Sequence, residues 1–411
     1  MLNFKKKDLC IEQVKLSDIA KEYGTSTYVY SKNQFINNFE SYKKALGVRG
    51  IICFACKANS NRTILKLLAD IGAGADTTSG GEIYRCLNAN FNPSKIVYAG
   101  VGKTFEEIEY ALKNKIFMFN VESLEELDAI NKIAGRVKTK AKIAFRINPY
   151  VDPDTHSYIA TGKKGTKFGI PYEDAVKAYL IAKKKKNVIV LGIHSHIGSQ
   201  ILDIKPFKVA AQKIKKIIDD LEKNGIGLEY INCGGGLGIK YSKDQKAPSP
   251  DQLMSELFSV FDKDKKFIFE PGRSIIANAG YLLVKVIYRK FSGGKNFLIT
   301  DAGMNDLMRP TLYEAYHEVM PIKKINTKKV KTDVVGPICE SGDFIGKDRM
   351  LPVLAQGEYV LVTCVGAYGA AMSSEYNSRP LLAEVLVDGN KTTLIRKRAK
   401  WEDLLSNEEQ K

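Results

Sequence analysis

The stretch IICFACKANSNRTILKLLADIG, residues 51–72, sets the pattern on which much of the chain is built. Its first six residues form a continuous apolar run of strand length. The segment NRTILKLLADIG that follows has apolar residues every three to four positions, as an amphipathic helix does. A strand without polar alternation is buried on both faces, which is typical of a parallel sheet covered by helices. The stretch therefore predicts one strand–helix unit of such a sheet.

The same unit recurs along the chain. Apolar runs of strand length lie at residues 51–56, 74–78, 95–100, 116–121, 142–149, 189–198, 228–235 and 266–272, and helical patterns separate most of them. Eight alternating units predict a parallel (β/α)8 barrel of the TIM type, whereas the alternative, a doubly wound open sheet, does not require eight. We therefore predict a barrel over residues 26–280.

After about residue 280 the pattern changes to strand-like segments separated by Gly, Asp and Asn, without comparable helices. This change predicts a second, mostly β domain over residues 281–411, and we expect residues 1–25 to pack with it. A chain of 411 residues is too long for one ordinary core, which agrees with two domains. The expected fold class is α/β, a barrel plus a β-rich C-terminal domain.

Composition narrows the class of protein. Hydrophobic residues make up 44% and charged residues 27% of the chain, as in soluble globular proteins. No signal peptide or membrane span is expected, because no sufficiently long apolar run is found. The seven cysteines are odd in number and scattered, so we interpret them as reduced thiols of a cytoplasmic protein. Cys53 and Cys56 form a lone CxxC without a second pair, so we expect no metal site.

The formal net charge of +17 raises the question of nucleic-acid binding. The excess is mostly Lys, spread over predicted helix surfaces such as 183–186 and 213–224, and no recognition motif accompanies it. We interpret it as a solvated surface, and we expect no specific nucleic-acid partner and no membrane partner.

Unusual polar residues and glycines stand where the predicted barrel strands end. In this architecture the chemistry lies at the C-terminal ends of the strands. In strand order the residues are Lys57; Asp76, Thr78 and Ser79; Arg146 and Asn148; His194, His196 and Ser199; Gly234, Gly235 and Gly236; and Glu270 and Arg273. Each alone is weak evidence, since a lone lysine usually extends its amine into water. Their shared position predicts a site at one face of the barrel.

The segment CGGGLG, residues 233–238, suits a phosphate. Its backbone amides can approach an anion closely because no Cβ intervenes, although a glycine run alone is equally compatible with a simple turn. Ser199 and Arg273 add a hydroxyl and a cation able to bind phosphate in a bidentate manner.

Three further residues suit an aromatic aldehyde with a ring nitrogen. A protonated pyridine nitrogen suits the Glu270 carboxylate, and a flat ring suits stacking on His196. Lys57 is able to form a Schiff base with an aldehyde. Phosphate, pyridinium and lysine-bound aldehyde together describe pyridoxal 5′-phosphate.

Seven segments carry a resemblance to a known family. They are FACKAN, HSHIGSQ, CGGGLG, EPGRSI, RPTLYEAYHE, GPICESGD and GAYGAAMSSEYNSRP. They resemble the barrel-type (alanine-racemase-like) pyridoxal-phosphate decarboxylases, and among these the branch that acts on meso-diaminopimelate, over roughly residues 5–400. The resemblance implies decarboxylation of meso-2,6-diaminopimelate to L-lysine and CO2, the last step of lysine biosynthesis.

The resemblance also implies a role for each matching residue. The catalytic residues would be Lys57, which carries the cofactor, and Cys339, which donates a proton. The cofactor would be bound by Lys57, His196, Ser199, Gly234, Gly235, Gly236, Glu270, Pro271, Gly272, Arg273 and Tyr368. The substrate would be bound by Arg273, Arg309, Tyr313, Glu340 and Tyr368. In this family the Cys-Glu segment enters the partner subunit's site, which implies a homodimer with shared active sites.

Three alternatives stay open at this point. A decarboxylase of another diamino acid, of the ornithine, arginine or carboxynorspermidine type, would need an acidic pocket where RPTLYEAYHE supplies Arg309. A non-catalytic homologue has no need to retain both Lys57 and Cys339. An amino-acid racemase would need a tyrosine opposite the lysine and has a shorter chain.

Overall fold

The computed structural model describes residues 2–153, 156, 158, 161–162 and 164–409. Contacts divide the chain into two compact units. The barrel unit comprises Phe39–Ile239 and Lys246–Ser274, and the β-rich unit comprises Met1–Asn38, Lys240–Gln245 and Ile275–Lys411. Among the described residues, no helix is both long and apolar enough to cross a membrane.

The β-rich unit begins with a small antiparallel sheet. Its strands pair in the order β1 (Leu2–Lys5), β2 (Asp8–Ile11) and β3 (Val14–Lys15), and α1 (Leu16–Tyr23) and β4 (Thr27–Ser31) follow. Leu9 and Leu16 from this segment are buried in one apolar cluster with Leu361 from the far end of the chain. The first residues of the chain therefore pack in the core of the β-rich unit.

The barrel unit is a closed ring of parallel strands. Its strands are β5 (Gly50–Ala55), β6 (Gly74–Thr77), β7 (Ile96–Tyr98), β8 (Met118–Val121), β9 (Ala141–Asn148), β10 (Ile170–Pro171), β11 (Val188–His194), β12 (Tyr230–Asn232) and β13 (Lys266–Phe269). Strands β5 to β9 and β11 to β13 pair in chain order, and β13 pairs with β5 to close the ring. Each predicted apolar run overlaps one of these eight strands, so the predicted barrel is confirmed.

Helices connect the strands. They are α2 (Lys32–Leu46), α3 (Arg62–Asp70), α4 (Gly80–Asn88), α5 (Phe105–Lys113), α6 (Leu124–Arg136), α7 (Ala175–Lys183), α8 (Lys205–Lys223), α9 (Pro250–Phe258) and α10 (Arg273–Ile276). The sequence sets several of their first turns. Asn61 accepts a hydrogen bond from the Thr63 amide, and Thr104 forms a capping box with Glu107. These caps end the loops that follow β5 and β7.

The rest of the chain is mostly β, as predicted. It contains β14 (Gly280–Ser292), β15 (Lys295–Thr300), α11 (Arg309–Tyr313), β16 (Val319–Pro321), β17 (Lys329–Val335), β18 (Phe344–Pro352), β19 (Tyr359–Val362), β20 (Ala383–Asp388) and β21 (Lys391–Arg396). The main sheet has the order β18-β17-β15-β14-β4-β20-β21, and β19 pairs with both β14 and β16.

Strand β4 lies in the middle of this sheet, antiparallel to β14 and parallel to β20. It therefore belongs to the β-rich unit, although it was expected in the barrel. By contacts, residues up to 38 and from 275 belong to the β-rich unit, whereas the expected boundaries were residues 25 and 280. Every residue of β4 is buried, as in a barrel strand. Its composition therefore does not indicate which sheet it joins.

Removal of the Phe267 ring should destabilise the barrel unit. Phe267 is fully buried in β13, and its ring centroid lies 4.8 Å from that of Phe258. Phe267→Ala should lower the free energy of unfolding by about 3–5 kcal/mol, because the cavity adds to the lost burial. Urea unfolding at constant protein concentration measures the change. Phe105→Ala, at a 57% exposed position of the same unit, is the control. Equal losses in both variants would contradict the assignment of Phe267 to the core.

Candidate active site

Lys57 and Asp76 form an ion pair at the mouth of the barrel. Lys57 lies in a single turn, Cys56–Ala58, directly after β5. Its Nζ donates to Asp76 Oδ2 over 3.0 Å. Strand β5 pairs with β6 so that Ala55 stands beside Asp76, which places the carboxylate under the amine. The lysine side chain is 40% exposed and the aspartate side chain is fully buried. The amine is therefore held by a buried anion while it stays accessible.

The protonation of Asp76 is finely balanced. Burial and the nearby Glu270 raise the pKa of the Asp76 carboxyl to about 7, although Lys57 acts in the opposite direction. Among the residues that the structure describes, none hydrogen-bonds to its second oxygen, Oδ1. Near neutral pH this carboxyl can therefore take up or release a proton beside the Lys57 amine.

Glu270, which follows β13, is a buried carboxylate held by residues of other strands. Its Oε1 accepts hydrogen bonds from the side-chain amides of Asn120 over 3.0 Å and Asn232 over 2.5 Å. Its Oε2 lies 3.3 Å from His194 Nε2. Burial by itself would raise the pKa of Glu270, but His194, Lys57 and the Asn232 amide outweigh burial and hold this pKa below its usual range. Glu270 is therefore an anion.

His196 presents a neutral ring. Its Nδ1 accepts a hydrogen bond from the Gly235 amide over 3.2 Å, so the ring proton lies on Nε2. Burial, together with the neighbouring cations Arg146 and Lys57, holds the pKa of His196 well below its usual value. A flat, uncharged imidazole beside the Lys57 amine suits contact with an aromatic ring.

An arginine and a hydroxyl stand together beside the glycine run. Arg273 is 6% exposed, and its Nε and Nη2 donate to Ser199 Oγ over 3.2 and 3.0 Å. The glycines are required by close backbone approach. A Cβ on Gly235 would lie 2.2 Å from the Glu270 carbonyl oxygen, and Gly236 has a φ of +111°. Such a backbone, next to a buried cation, is suited to a phosphate.

Pro271 and Gly272 connect these two halves of the site. They join Glu270 to Arg273, and the Pro271 carbonyl accepts a hydrogen bond from the Ala55 amide over 3.1 Å. A Cβ on Gly272 would lie 2.9 Å from Cβ of Ala58, beside Lys57. The glycine therefore allows the Glu270–Arg273 segment to lie directly against the turn that carries Lys57.

The remaining predicted site residues lie in the β-rich unit. Cys339 and Glu340 are exposed in a turn after β17. The Cys339 amide donates to Asn377 Oδ1 over 2.8 Å, and Glu340 accepts a hydrogen bond from the Tyr376 hydroxyl over 3.1 Å. Asp343 accepts from the Ile338 amide over 2.7 Å, which closes the turn. The thiol is thus presented on an ordered turn.

Arg309 and Tyr313 lie at the two ends of α11. The Thr311 hydroxyl in this helix donates to the Gly342 carbonyl over 2.6 Å, so α11 is tied to the turn of Cys339 and Glu340. Arg309 is 4% exposed, unlike a surface arginine. Tyr368 adopts a left-handed backbone, with a φ of +58°.

Sequence reasoning overlooked two residues of the barrel site and one of the β-rich unit. Asn120 and Asn232 bind Glu270, and His317 contacts Arg309 Nη1 over 3.0 Å. A signal for the two asparagines was present, since each is the polar residue near the end of an otherwise apolar barrel strand. His317 lies within the segment RPTLYEAYHE that carries the resemblance, but its position before a short strand of the β-rich unit did not indicate a contact with Arg309.

The barrel-mouth residues fit pyridoxal phosphate. Lys57 supplies an amine for the aldehyde, Glu270 an anion for the ring nitrogen, and Arg273 with Ser199 a phosphate-binding pair at backbone that excludes a Cβ. A closed parallel barrel with this set at the strand ends is the architecture of a barrel-type pyridoxal-phosphate enzyme.

Comparison with known proteins gives the family. Residues 32–277 match the model of the pyridoxal-dependent decarboxylases, pyridoxal binding domain. The chain is 49% identical to the diaminopimelate decarboxylase of Aquifex aeolicus over 402 residues, which are 98% of this chain and 96% of that protein. The chain belongs to the diaminopimelate decarboxylase family of pyridoxal-dependent decarboxylases.

Solved structures agree with this assignment. The crystal structure of the Helicobacter pylori diaminopimelate decarboxylase complexed with L-lysine superposes with a TM-score of 0.92 at 43% identity, covering 95% of this chain and 98% of that one. The M. jannaschii enzyme in co-complex with L-lysine gives a TM-score of 0.95 at 38% identity, covering 100% and 98%.

Asp76 should make stability depend on pH. Its folded-state pKa of about 7 exceeds the ordinary value of 3.8, so between these values the folded chain binds a proton that the unfolded chain releases. Stability contributed by this group is therefore lost as pH rises. The free energy of unfolding of the wild type minus that of Asp76→Asn should fall by about 2–3 kcal/mol between about pH 5 and pH 8.

Urea unfolding of cofactor-free protein at several pH values measures this difference. Asp70→Asn, which removes an exposed carboxylate paired with Lys66 in the same unit, is the matched control. A difference for Asp76→Asn that rises with pH, or that does not change, would show that the carboxyl ionises normally.

Proposed function

We propose that this chain decarboxylates meso-2,6-diaminopimelate to L-lysine and CO2 with pyridoxal 5′-phosphate, as the last step of lysine biosynthesis. The observation that carries the proposal is the meeting of the Lys57 amine, the Glu270 anion and the Arg273–Ser199 pair at the strand ends of one barrel. The names of the relatives support the substrate, and lysine is the ligand named for two of the solved structures.

The barrel residues would hold the cofactor. Lys57 would bind its aldehyde, and His196 would lie against its ring. Arg273, Ser199 and the amides of Gly234, Gly235 and Gly236 would bind its phosphate, with Pro271 and Gly272 shaping the loop. When bound, pyridoxal phosphate supplies an electron sink for the negative charge that forms at Cα as CO2 leaves. Glu270 would keep a proton on the ring nitrogen, because a nearby anion raises the pKa of such a nitrogen.

The β-rich unit would supply the proton donor and the substrate contacts. Cys339 presents an exposed thiol, which would protonate Cα after CO2 leaves. Arg309 and Tyr313, with Arg273, would bind the distal carboxylate of the substrate, and Glu340 its distal amine. Tyr368 would contact cofactor and substrate. An arginine that binds the distal carboxylate would favour a substrate with that group over a diamino acid that lacks it.

We further infer a cytoplasmic homodimer with shared active sites. The support is that Cys339 and Glu340 stand on an exposed turn, where they are available to a second copy of the chain. The free thiols of the described cysteines agree with a reducing compartment.

Activity should depend on Lys57. Wild-type protein loaded with pyridoxal phosphate should release equal amounts of lysine and CO2 from meso-diaminopimelate. Lys57→Arg keeps the charge beside Asp76 but should lower kcat by roughly 10³-fold, the scale seen when an acid–base or nucleophilic group is lost. Coupled assays of both products measure the rate, and borohydride reduction with peptide mapping locates the modified lysine.

Lys66→Arg, on the surface of α3, is the control and should keep the wild-type rate. A wild type that releases CO2 from ornithine or arginine, but not from diaminopimelate, would move the assignment to another diamino acid. A borohydride-trapped cofactor on a lysine other than Lys57 would contradict the assigned role.

Shared sites predict complementation between two inactive variants. Lys57→Ala and Cys339→Ala should each be nearly inactive alone. After subunit exchange, a mixed dimer contains one site with both residues intact, so an equal mixture should regain about a quarter of the wild-type rate. The rate before and after exchange by mild denaturation and refolding is the measurement. If each chain forms its own complete site, the mixture stays inactive.

A further inference from the structure

The β-rich unit contains a cavity of about 590 Å³ that the proposed reaction does not use. Its walls come from the residues before β4, the loop after β15, the segment before β20 and the segment after β21. The charged side chains that line it are Asp301, Asp306, Arg379, Arg398, Lys400 and Glu402. Sites for small molecules have volumes of this order. The cavity is therefore large enough for a small metabolite.

Two arginines in the cavity wall have donors without protein acceptors. Within the described residues, the Arg379 guanidinium makes no hydrogen bond and no ion pair. Arg398 uses one nitrogen, Nη2, which donates to the Thr27 hydroxyl over 2.9 Å and to the Tyr23 carbonyl over 3.3 Å. Because a guanidinium has five N–H donors, most donors of this pair remain for a ligand. Such donors suit a carboxylate, which can accept two parallel hydrogen bonds from an arginine.

Carboxylates in the same wall have oxygens without donors. Asp301 accepts hydrogen bonds from the Ser26 hydroxyl over 2.6 Å and from the Lys285 amide over 2.8 Å, both on Oδ1. No described residue donates to its Oδ2. Asp306 is 2% exposed, and its Oδ1 also lacks a hydrogen-bond partner in the described parts of the chain. Oxygens of this kind suit the ammonium group of a ligand.

The charges of the wall lie close enough to influence one another. Burial raises the pKa of the Asp306 carboxyl to about 7, whereas the Gly303 amide and the charge of Arg379 act in the opposite direction. Burial lowers the pKa of the Arg398 guanidinium, and the nearby Asp301 and Asp306 oppose this effect. Positive and negative groups therefore surround one space.

This balance of charge favours a zwitterion over a simple anion. The wall carries three basic and three acidic side chains, so a phosphate or a nucleotide would meet repulsive carboxylates as well as cations. A free α-amino acid carries one carboxylate and one ammonium group, and both find counterparts here. Asn305 lines the same cavity and is 1% exposed, and neither polar atom of its side chain has a partner among the described residues. An unpaired buried amide is costly, which favours a site completed by a polar ligand.

The cavity shares a wall with the turn of Cys339 and Glu340. Asn377 lines the cavity, and its Oδ1 accepts the hydrogen bond of the Cys339 amide over 2.8 Å. Burial raises the pKa of the Asp343 carboxyl, which closes the turn, and the nearby charge of Arg379 opposes this effect. A ligand that displaces Asn377 or Arg379 therefore acts on the turn that presents the thiol.

We propose that this cavity is a binding site for a free α-amino acid. The carboxylate of the ligand binds Arg379 and Arg398, and its ammonium group binds Asp301. Occupation of the site is transmitted through Asn377 to the turn of Cys339, so Asn377 is a positioning residue that acts through the Cys339 amide. The site is regulatory, and it lies outside the residues proposed to bind cofactor or substrate. The inference goes beyond the proposed function and needs no turnover.

The test uses the protein loaded with pyridoxal phosphate. Each of the twenty standard amino acids is added singly, and binding is measured by the melting temperature and by isothermal titration calorimetry. Arg379→Gln removes the guanidinium, and Asp301→Asn removes a negative charge but keeps an oxygen for Ser26. Arg289→Gln, at an exposed position of β14 in the same unit, is the matched control.

A second measurement follows the turn directly. The thiol reagent DTNB modifies exposed cysteines, and its rate of reaction with Cys339 is compared with and without the amino acid. Cys339→Ser identifies the signal of this thiol, because the signal is lost in that variant. The melting temperature without ligand checks that Arg379→Gln and Asp301→Asn are folded, and if one of them is not, the other decides.

We expect at least one amino acid to bind the wild type and Arg289→Gln equally well. Its dissociation constant should rise about 10- to 100-fold in Arg379→Gln and in Asp301→Asn, because a charge-assisted contact is lost. At saturation it should change the rate of Cys339 modification in the wild type, and at the same concentration it should not do so in Arg379→Gln. An amino acid that enters only the active site should bind Arg379→Gln as tightly as the wild type.

Three results would overturn the inference. One is that no amino acid binds the wild type more tightly than Arg379→Gln. Another is that inorganic phosphate or ATP, and no amino acid, binds in a manner that depends on Arg379. A third is Arg379-dependent binding of an amino acid that leaves the modification of Cys339 unchanged. A wild type without activity on diaminopimelate would remove the proposed function but not this inference, since neither measurement involves turnover.

Discussion

The site depends on the contacts that hold one buried carboxylate at the mouth of the barrel. Glu270 follows β13, and it is stabilised by Asn120 from β8, Asn232 from β12 and His194 from β11. Strand β8 lies on the opposite side of the ring from β13. A buried charge is costly unless hydrogen bonds and a nearby cation compensate it. Closure of the ring brings the Asn120 amide from the far side to within 3.0 Å of the Glu270 carboxylate.

Two carboxylates at the same barrel mouth have opposite behaviour. Both are buried, yet the pKa of Asp76 is raised to about 7 and that of Glu270 is held low. His194, Lys57 and the Asn232 amide outweigh burial and lower the pKa of Glu270, whereas at Asp76 burial and the Glu270 charge outweigh Lys57. The hydrogen-bond donors differ in the same direction. Glu270 accepts two amide hydrogen bonds on one oxygen, whereas among the described residues Asp76 has a hydrogen bond from Lys57 on one oxygen and none on the other. One group is therefore a fixed anion, and the other is able to exchange a proton near neutral pH.

In the β-rich unit, Arg309 is buried, and its Nη1 lies 3.0 Å from His317 Nε2. Cys339 and Glu340, by contrast, stand on an exposed turn that Asp343 and Asn377 hold in place. Most of the residues proposed to bind the cofactor lie in the barrel unit, whereas Cys339 and Glu340 and most of the residues proposed to bind the substrate lie in the β-rich unit. Such a division agrees with an enzyme whose substrate range depends on residues outside the barrel.

The sequence by itself determined the barrel and most of its site. Continuous apolar strands followed by amphipathic helices are local patterns, and eight of them predict a closed parallel ring. The sequence also places Lys57, Glu270 and Arg273 at the ends of predicted strands. Because the carboxyl ends of parallel strands meet on one face, these residues were expected to lie close together. The roles expected for Cys339 and Arg309 come from the resemblance alone and stay predictions.

Only the tertiary structure decided which residues meet across the ring and which sheet a strand joins. Asn120 reaches Glu270 because register and closure bring β8 and β13 to opposite sides of one narrow mouth, and no sequence spacing encodes that distance. Strand β4 is buried on both faces like a barrel strand, yet it pairs with β14 and β20. Because strands of both sheets are buried on both faces, burial does not indicate which sheet a strand joins. His317 Nδ1 lies 2.8 Å from a carbonyl oxygen 46 residues away, a contact that exists only after β16 and β19 have paired.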